Sequence, residues 1–220
     1  MAKDPLRLSR SRWDSFIKCP KCFYLKEKHD IGPPSQPGHP INSRVDALLK
    51  EEFDLLRKDE KPHAIFKEYN LNFIPFDHEQ IDKWRDSLKG GISYIDKGAN
   101  LEIFGGLDDI WFDKDKEELV VVDYKAQSSN APVEEVSYLT SPFYQGYKLQ
   151  MDIYVYILRE MGFKTSDRVF FLVCNGEKSY DKFDKKLNTI KQDFSNAMSL
   201  PVPEKPDFSD KIDEPLTELE

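Results

Sequence analysis

No stretch of this 220-residue chain approaches the roughly 18 consecutive apolar residues of a membrane-spanning helix. Residues 1–12 are basic and lack the apolar centre of a secretion signal. The expectation is a soluble, cytoplasmic protein with no membrane partner. Cysteine is scarce. Cys19, Cys22 and Cys174 are too few for a closed disulfide framework or a four-thiolate cage, and they suit a reducing compartment. Cys19-x-x-Cys22 could chelate Zn²⁺ with Cys174 and a histidine, but a lone C-x-x-C is more often a pair of buried helix cysteines. His29, His39, His63 and His78 show no ligand spacing. No G-x-x-x-x-G-K-[ST] loop occurs, which argues against an ATP-driven motor within the chain.

What is present is a wet surface around enough apolar material for one core, with 39% hydrophobic and 33% charged residues. We expect one domain over residues 1–203, then a Pro-rich tail at 204–220. That tail has seven acidic residues against two lysines, net −5, and reads as disordered. The overall charge of −8 argues against nucleic acid, yet residues 1–30 carry net +4. A charge run of that size is most often a solvated face, and it becomes a phosphate-binding surface only with other signals.

Residues 9–18 and 21–28 are predicted as two short helices broken at Pro20. Over 43–58, Val45, Leu48, Leu49, Phe53 and Leu56 fall on one stripe of an amphipathic helix. A more polar helix is expected over 77–95. Strands at 101–112 and 118–125 are joined by the charged turn 113–117 as an antiparallel hairpin. A largely buried helix follows over 142–161. An apolar strand covers 168–174, with 179–183 returning beside it, and a last helix lies near 185–198. The order predicts an α/β core with a mixed sheet.

The hairpin carries the chemistry. Residues two apart in a strand share a face, so Asp123 and Lys125 project together from the end of the apolar run Leu119-Val120-Val121-Val122. A carboxylate beside a buried strand must be paired, hydrogen-bonded or bound to a cation. If the partner strand brings Asp108 alongside, two carboxylates and an ammonium converge, a set that suits Mg²⁺ or Mn²⁺. The alternative is an ordinary Asp–Lys pair at a strand end. Gln150 lies amid the apolar face of the 142–161 helix, one turn before Tyr154. There it would hold a metal water, a nucleic-acid backbone or a structural loop carbonyl.

Gly105-Gly106-Leu107-Asp108, Val122-Asp123-Tyr124-Lys125 and Gln150-Met151-Asp152-Ile153-Tyr154 resemble, in order, the G-x-x-D, (D/E)-x-K and Q-x-x-x-Y motifs of RecB-type nucleases of the PD-(D/E)XK superfamily. The segment from Leu8-Ser9-Arg10-Ser11-Arg12 through Cys19-Pro20 to Phe23-Tyr24-Leu25 is similar to the N-terminal helices of the same enzymes, CRISPR-associated ones included. The resemblance implies a restriction-endonuclease-like fold: a central mixed β-sheet flanked by helices, preceded by N-terminal helices. It implies metal-dependent hydrolysis of DNA by an exonuclease of repair, recombination or defence, working with a helicase or another repair or defence protein. Asp108, Asp123 and the Tyr124 carbonyl would bind the metal, Lys125 would assist the water, and Gln150 and Tyr154 would complete the site. The family's metal-binding histidine is missing, and Asp46 is the best stand-in, ahead of Glu52. The four-cysteine iron–sulfur cluster of some relatives is excluded. The competing expectation is a catalytically inactive module on the same fold that binds nucleic acid or docks a partner.

Overall fold

The computed structural model describes residues 4–34, 40–88, 90–128, 140–141, 144–176 and 184–191, with only the backbone described at 184–191 and at Pro40. In chain order the elements are β1 (Leu6–Ser9), α1 (Arg10–Lys18), α2 (Pro20–His29), α3 (Pro40–Arg57), α4 (Ala64–Glu68), β2 (Phe73–Pro75), α5 (Ile81–Arg85), β3 (Ile92–Asp96), β4 (Leu101–Gly105), β5 (Asp109–Asp113), β6 (Glu118–Gln127), α6 (Gln145–Glu160), β7 (Arg168–Asn175) and β8 (Asp184–Lys191). The strands form two mixed sheets, one in the order β1-β4-β3 and one in the order β2-β5-β6-β7-β8.

The five-stranded sheet is built on β6 and β7, paired in parallel with Val122 opposite Phe170 and Lys125 opposite Val173. Both strands are buried on both faces, which is why their sequences are continuous apolar runs rather than alternating ones. Val120, Val122, Tyr124, Phe170 and Leu172 face the α3 side with Val45, Leu49 and Phe53. Leu119, Val121, Val169, Phe171 and Val173 face α6 with Met151, Val155 and Leu158, joined by Leu8, Ile92 and Ile103 of the small sheet. The periodicity read for α3 and α6 is thus largely the packing periodicity of the fold, except that Leu48 of the α3 stripe is exposed while Arg57 is buried. The expected hairpin is also present, with β5 and β6 antiparallel and Asp109 opposite Val122.

Several expected elements differ. The polar helix at 77–95 is helical only at Ile81–Arg85, and Ile92–Asp96 is a strand antiparallel to β4. Gly91, at φ 83°, breaks the helical path between them. The strand expected over 101–112 divides at Gly105-Gly106 into β4 and β5, which belong to different sheets. Gly106 runs so close to Ser87 that a Cβ there would meet its side chain at 2.6 Å. Residues 184–191 form β8, paired antiparallel along the whole of β7, rather than the start of a helix. Pairing with a buried neighbour outweighs local helix preference there. Residues 192–198, the return segment 179–183 and the tail 204–220 lie outside the described residues. The short elements β1, β2 and α4 carry too few residues for a periodic signal.

The cysteines depart from expectation as well. Cys19 and Cys22 are bonded to each other at the start of α2, with Cys22 exposed, while Cys174 is buried on β7. They do not converge on a zinc site. Among the described residues no helix is long and apolar enough to cross a membrane.

Phe53 is fully buried and stacks at 5.3 Å on Trp111, 5.9 Å on Tyr124 and 4.5 Å on His63. Phe53→Ala should destabilise the protein by about 3–5 kcal/mol in urea unfolding, since Trp111 on β5 and Tyr124 on β6 are held by the sheet and cannot collapse into the space.

Candidate active site

Alternation along β6 decides which side chains meet. Tyr124 turns toward α3, whereas Asp123 and Lys125 turn toward α6. Asp123 is 1% exposed. Its Oδ1 accepts a hydrogen bond from Gln150 Nε2 at 2.9 Å, and its Oδ2 is ion-paired with Lys125. The Lys125 ammonium also lies 4.3 Å over the Tyr147 ring. The half-buried Gln150 amide therefore faces a carboxylate rather than a loop carbonyl.

The hairpin register, continued one residue past Asp109 and Val122, puts Asp108 opposite Asp123. Asp108 Oδ2 accepts the Tyr124 N–H at 2.8 Å. From α3, Asp46 pairs with Lys50 at 2.9 Å, and Lys50 Nζ lies 3.8 Å from Asp108 Oδ1. Asp46, Asp108, Asp123, Lys125, Gln150 and the Tyr124 main chain are thus gathered at one place. Tyr154 is there too: Gly105 admits its ring, which a Cβ at 105 would meet at 2.5 Å. Glu52 is elsewhere, bound to His63 at 2.8 Å.

Concentrating carboxylates has an electrostatic cost. Burial and the neighbouring Asp123 push the Asp108 carboxyl up to about 7. Burial and the Asp108 carboxylate also raise Asp46. Asp46 and Asp108 separate two openings, a cleft of about 470 Å³ bounded by Arg10, Lys50, Gly105, Gln150 and Tyr154, and one of about 300 Å³ bounded by Asn42, Lys125 and Tyr147.

Behind this cluster, on the α3 side, is a second set that sequence reasoning missed. Asp109 is wholly buried and takes Arg57 Nη2 at 2.6 Å, Arg85 Nη2 at 2.8 Å and the Tyr124 hydroxyl at 2.6 Å. Asp54 holds Arg57 at 2.9 Å and Arg85 at 2.9 Å. Lys50 was also missed, although its place four residues after Asp46 was a usable signal. The contact of Arg57 with Asp109, 52 residues away, left none.

Among the described residues no three His, Cys, Asp or Glu side chains are drawn together closely enough to hold a metal ion as they stand. Ammonium groups stand between the carboxylates instead. The donor chemistry nevertheless fits a hard cation: Asp46 Oδ1 is buried with no hydrogen-bond partner among the described residues, and two carboxyls are raised by crowding, a cost that a divalent charge would relieve.

Residues 35–219 match the PD-(D/E)XK nuclease superfamily, and the chain belongs to it. The two mixed sheets with their flanking helices are the restriction-endonuclease-like fold of that superfamily. Its members are generally metal-dependent nucleases that typically use divalent ions such as Mg²⁺ or Mn²⁺. None of the curated proteins matches the chain.

A carboxyl raised on folding favours the folded state below its unfolded value, and that benefit is lost as pH climbs through about 7. Asp108→Asn, which still accepts the Tyr124 N–H, should therefore raise the melting temperature of the metal-free protein at pH 8, with the advantage shrinking toward pH 4. Thermal melts across that range check the sign.

Proposed function

We propose that this chain hydrolyses DNA phosphodiester bonds as a RecB-like exonuclease of repair, recombination or defence. In this reading it is related to the CRISPR-associated RecB-type enzymes without their iron–sulfur cysteines, and it works beside a helicase or another repair or defence protein. The observation that carries the reading is the meeting of Asp108, Asp123 and Lys125 on adjacent strands, with Gln150 fixing one oxygen of Asp123. Residues 1–203 are the nuclease domain and 204–220 an acidic tail beyond it.

Asp46, Asp108, Asp123 and the Tyr124 carbonyl would hold Mg²⁺ or Mn²⁺, which supplies charge to polarise the phosphate and acidify a water. Asp46 takes the place of the family's histidine, and a carboxylate there hardens the donor set toward these ions. Gln150 keeps the Asp123 carboxylate in one rotamer by its 2.9 Å hydrogen bond. Lys125, beside Asp123 and the Tyr147 face, presents a positive charge to the water and to the negative charge growing on the phosphoryl oxygens. Tyr154, its hydroxyl kept protonated by burial and by Asp123 and Asp108, lines the same cleft as a donor.

A second reading has one observation of its own. Lys50 and Lys125 already neutralise the carboxylates, as they would in a binding module that has kept the site for packing. Incubation with linear and circular, single- and double-stranded DNA in Mg²⁺ or Mn²⁺ separates the two. The nuclease degrades linear DNA, and Asp123→Ala lowers the rate by ~10²-fold or more. Wild-type protein that leaves all four substrates intact is the module. Asp46→Ala should weaken Mn²⁺ binding by ~10-fold or more in calorimetry while the fold is kept, and unchanged affinity removes Asp46 from the ligand set.

A further inference from the structure

The cleft beside the carboxylates is also lined by the start of α1. There β1 runs parallel to β4, with Ser9 opposite Phe104, and passes directly into α1. Ser9, Arg10 and Ser11 therefore line the cleft across from Gly105 and Gly106. The first turn of α1 contains no acidic residue, and although Ser9 Oγ accepts the Arg12 N–H at 3.4 Å, the helix start keeps its positive end.

Arg10 is half-buried and has no hydrogen-bond or ion-pair partner among the described residues. Its guanidinium passes over Gly146 of α6, where a Cβ would lie 3.6 Å from Nη1. Asp14, one turn further along α1 and near the same point, is taken up by Lys18 at 2.7 Å. Arg85 lines the cleft as well, and its side chain is only 7% exposed. Asp54 and Asp109 hold both its Nη atoms, while its Nε is buried with no hydrogen-bond partner among the described residues. Arg10, Ser11 and the N-terminus of α1 thus line the same cleft as Asp46, Asp108 and Gln150, with Arg85 held in its wall by Asp54 and Asp109. Planar guanidinium donors and a helix N-terminus are the arrangement that phosphate oxygens accept.

We propose that the Arg10 end of this cleft is a phosphate-binding subsite, which holds a phosphate of the nucleic-acid strand next to the one positioned at Asp108 and Asp123. The identity of the ligand rests on the nuclease reading. Arg10 supplies the mobile charge, and the carboxylates that line the same cleft set the direction in which the strand lies. The phosphate is either a terminal monoester or an internal diester.

Binding of short single-stranded oligonucleotides carrying a 5′-phosphate, a 3′-phosphate or hydroxyls at both ends is measured by fluorescence anisotropy. The full-length chain is used in Ca²⁺, and the oligonucleotides are checked for intactness on a gel. Arg10→Ala should weaken binding about tenfold and flatten the slope of log K against log salt by about 0.7, the value of one phosphate contact on a single strand. Lys28→Ala, an equal loss of charge on the exposed end of α2, should change neither. Arg10→Lys should recover part of the affinity, since it restores charge without the planar donor pair. A loss confined to one phosphorylated end identifies the terminal monoester, and an equal loss for all three ligands identifies the internal diester.

Affinity of Arg10→Ala within twofold of wild type overturns the proposal, and so does an equal loss in Lys28→Ala. Protein that binds through Arg10 but cuts no DNA refutes the nuclease reading alone. Protein that cuts DNA while Arg10→Ala binds normally refutes this subsite alone.

Discussion

A carboxylate with no exposure to solvent costs several kcal/mol unless it is paired on every side, and Asp109 is paired on every side. Burial alone would raise its carboxyl, but Arg57 and Arg85 outweigh that and hold it below the usual range. Its partners come from α3, α5 and β6, so one buried ion ties three elements to β5. The arrangement also fixes the opposite face. Asp109 follows Asp108 and Tyr124 follows Asp123, so a hydrogen bond between the second members on the α3 side sets the spacing of the first members on the other side. The Tyr124 N–H to Asp108 bond at 2.8 Å closes the same frame from the main chain. The acidic cluster is thus positioned from behind, by the buried bonds of Asp109.

Much of this was legible because it was periodic or local. The stripe from Val45 to Phe53, the apolar runs of β6 and β7 and the face of α6 each carry their period, and the structure packs along those lines. The juxtaposition of Asp123 with Lys125 needed only the alternation of a strand. What was not legible depended on distant pairing. Residues 184–191 are strand because β7 offers a partner edge, and no local pattern announces an edge. Residues 92–95, expected within a polar helix, are strand because Gly91 breaks the helical path and β4 offers a partner. Arg57 and Arg85 look like any surface arginines in sequence, and only the fold shows them buried against Asp109. The motif pointed to Asp108 and was silent on its neighbour.

The site also shows how a fold carries concentrated like charge. Three carboxylates gathered at one place repel, and the surrounding structure answers with Lys50 and Lys125 rather than with apolar filling. Neither lysine is held as Arg57 is. Lys50 reaches its two carboxylates at 2.9 and 3.8 Å, and both lysines have about a fifth of their side chains exposed. Charges on flexible stems can move aside for a competing cation or a phosphate, whereas the Asp109 cluster cannot. Rigid pairing at Asp109 thus lies next to exchangeable pairing at Asp46, Asp108 and Asp123.

The parallel docking of β1 against β4 bears on the order of assembly. Arg7 meets Glu102 across 95 positions of chain, whereas β5 and β6 are joined by a tight turn. Closing the longer loop costs more entropy, and contacts of that span form late. The acidic half of the cleft therefore takes shape from a local hairpin, and the half that holds Arg10 is added when the first strand arrives. A chain caught between those stages carries the charge of the site without its counterpart, and it is the leading residues that bring the two halves into one cleft.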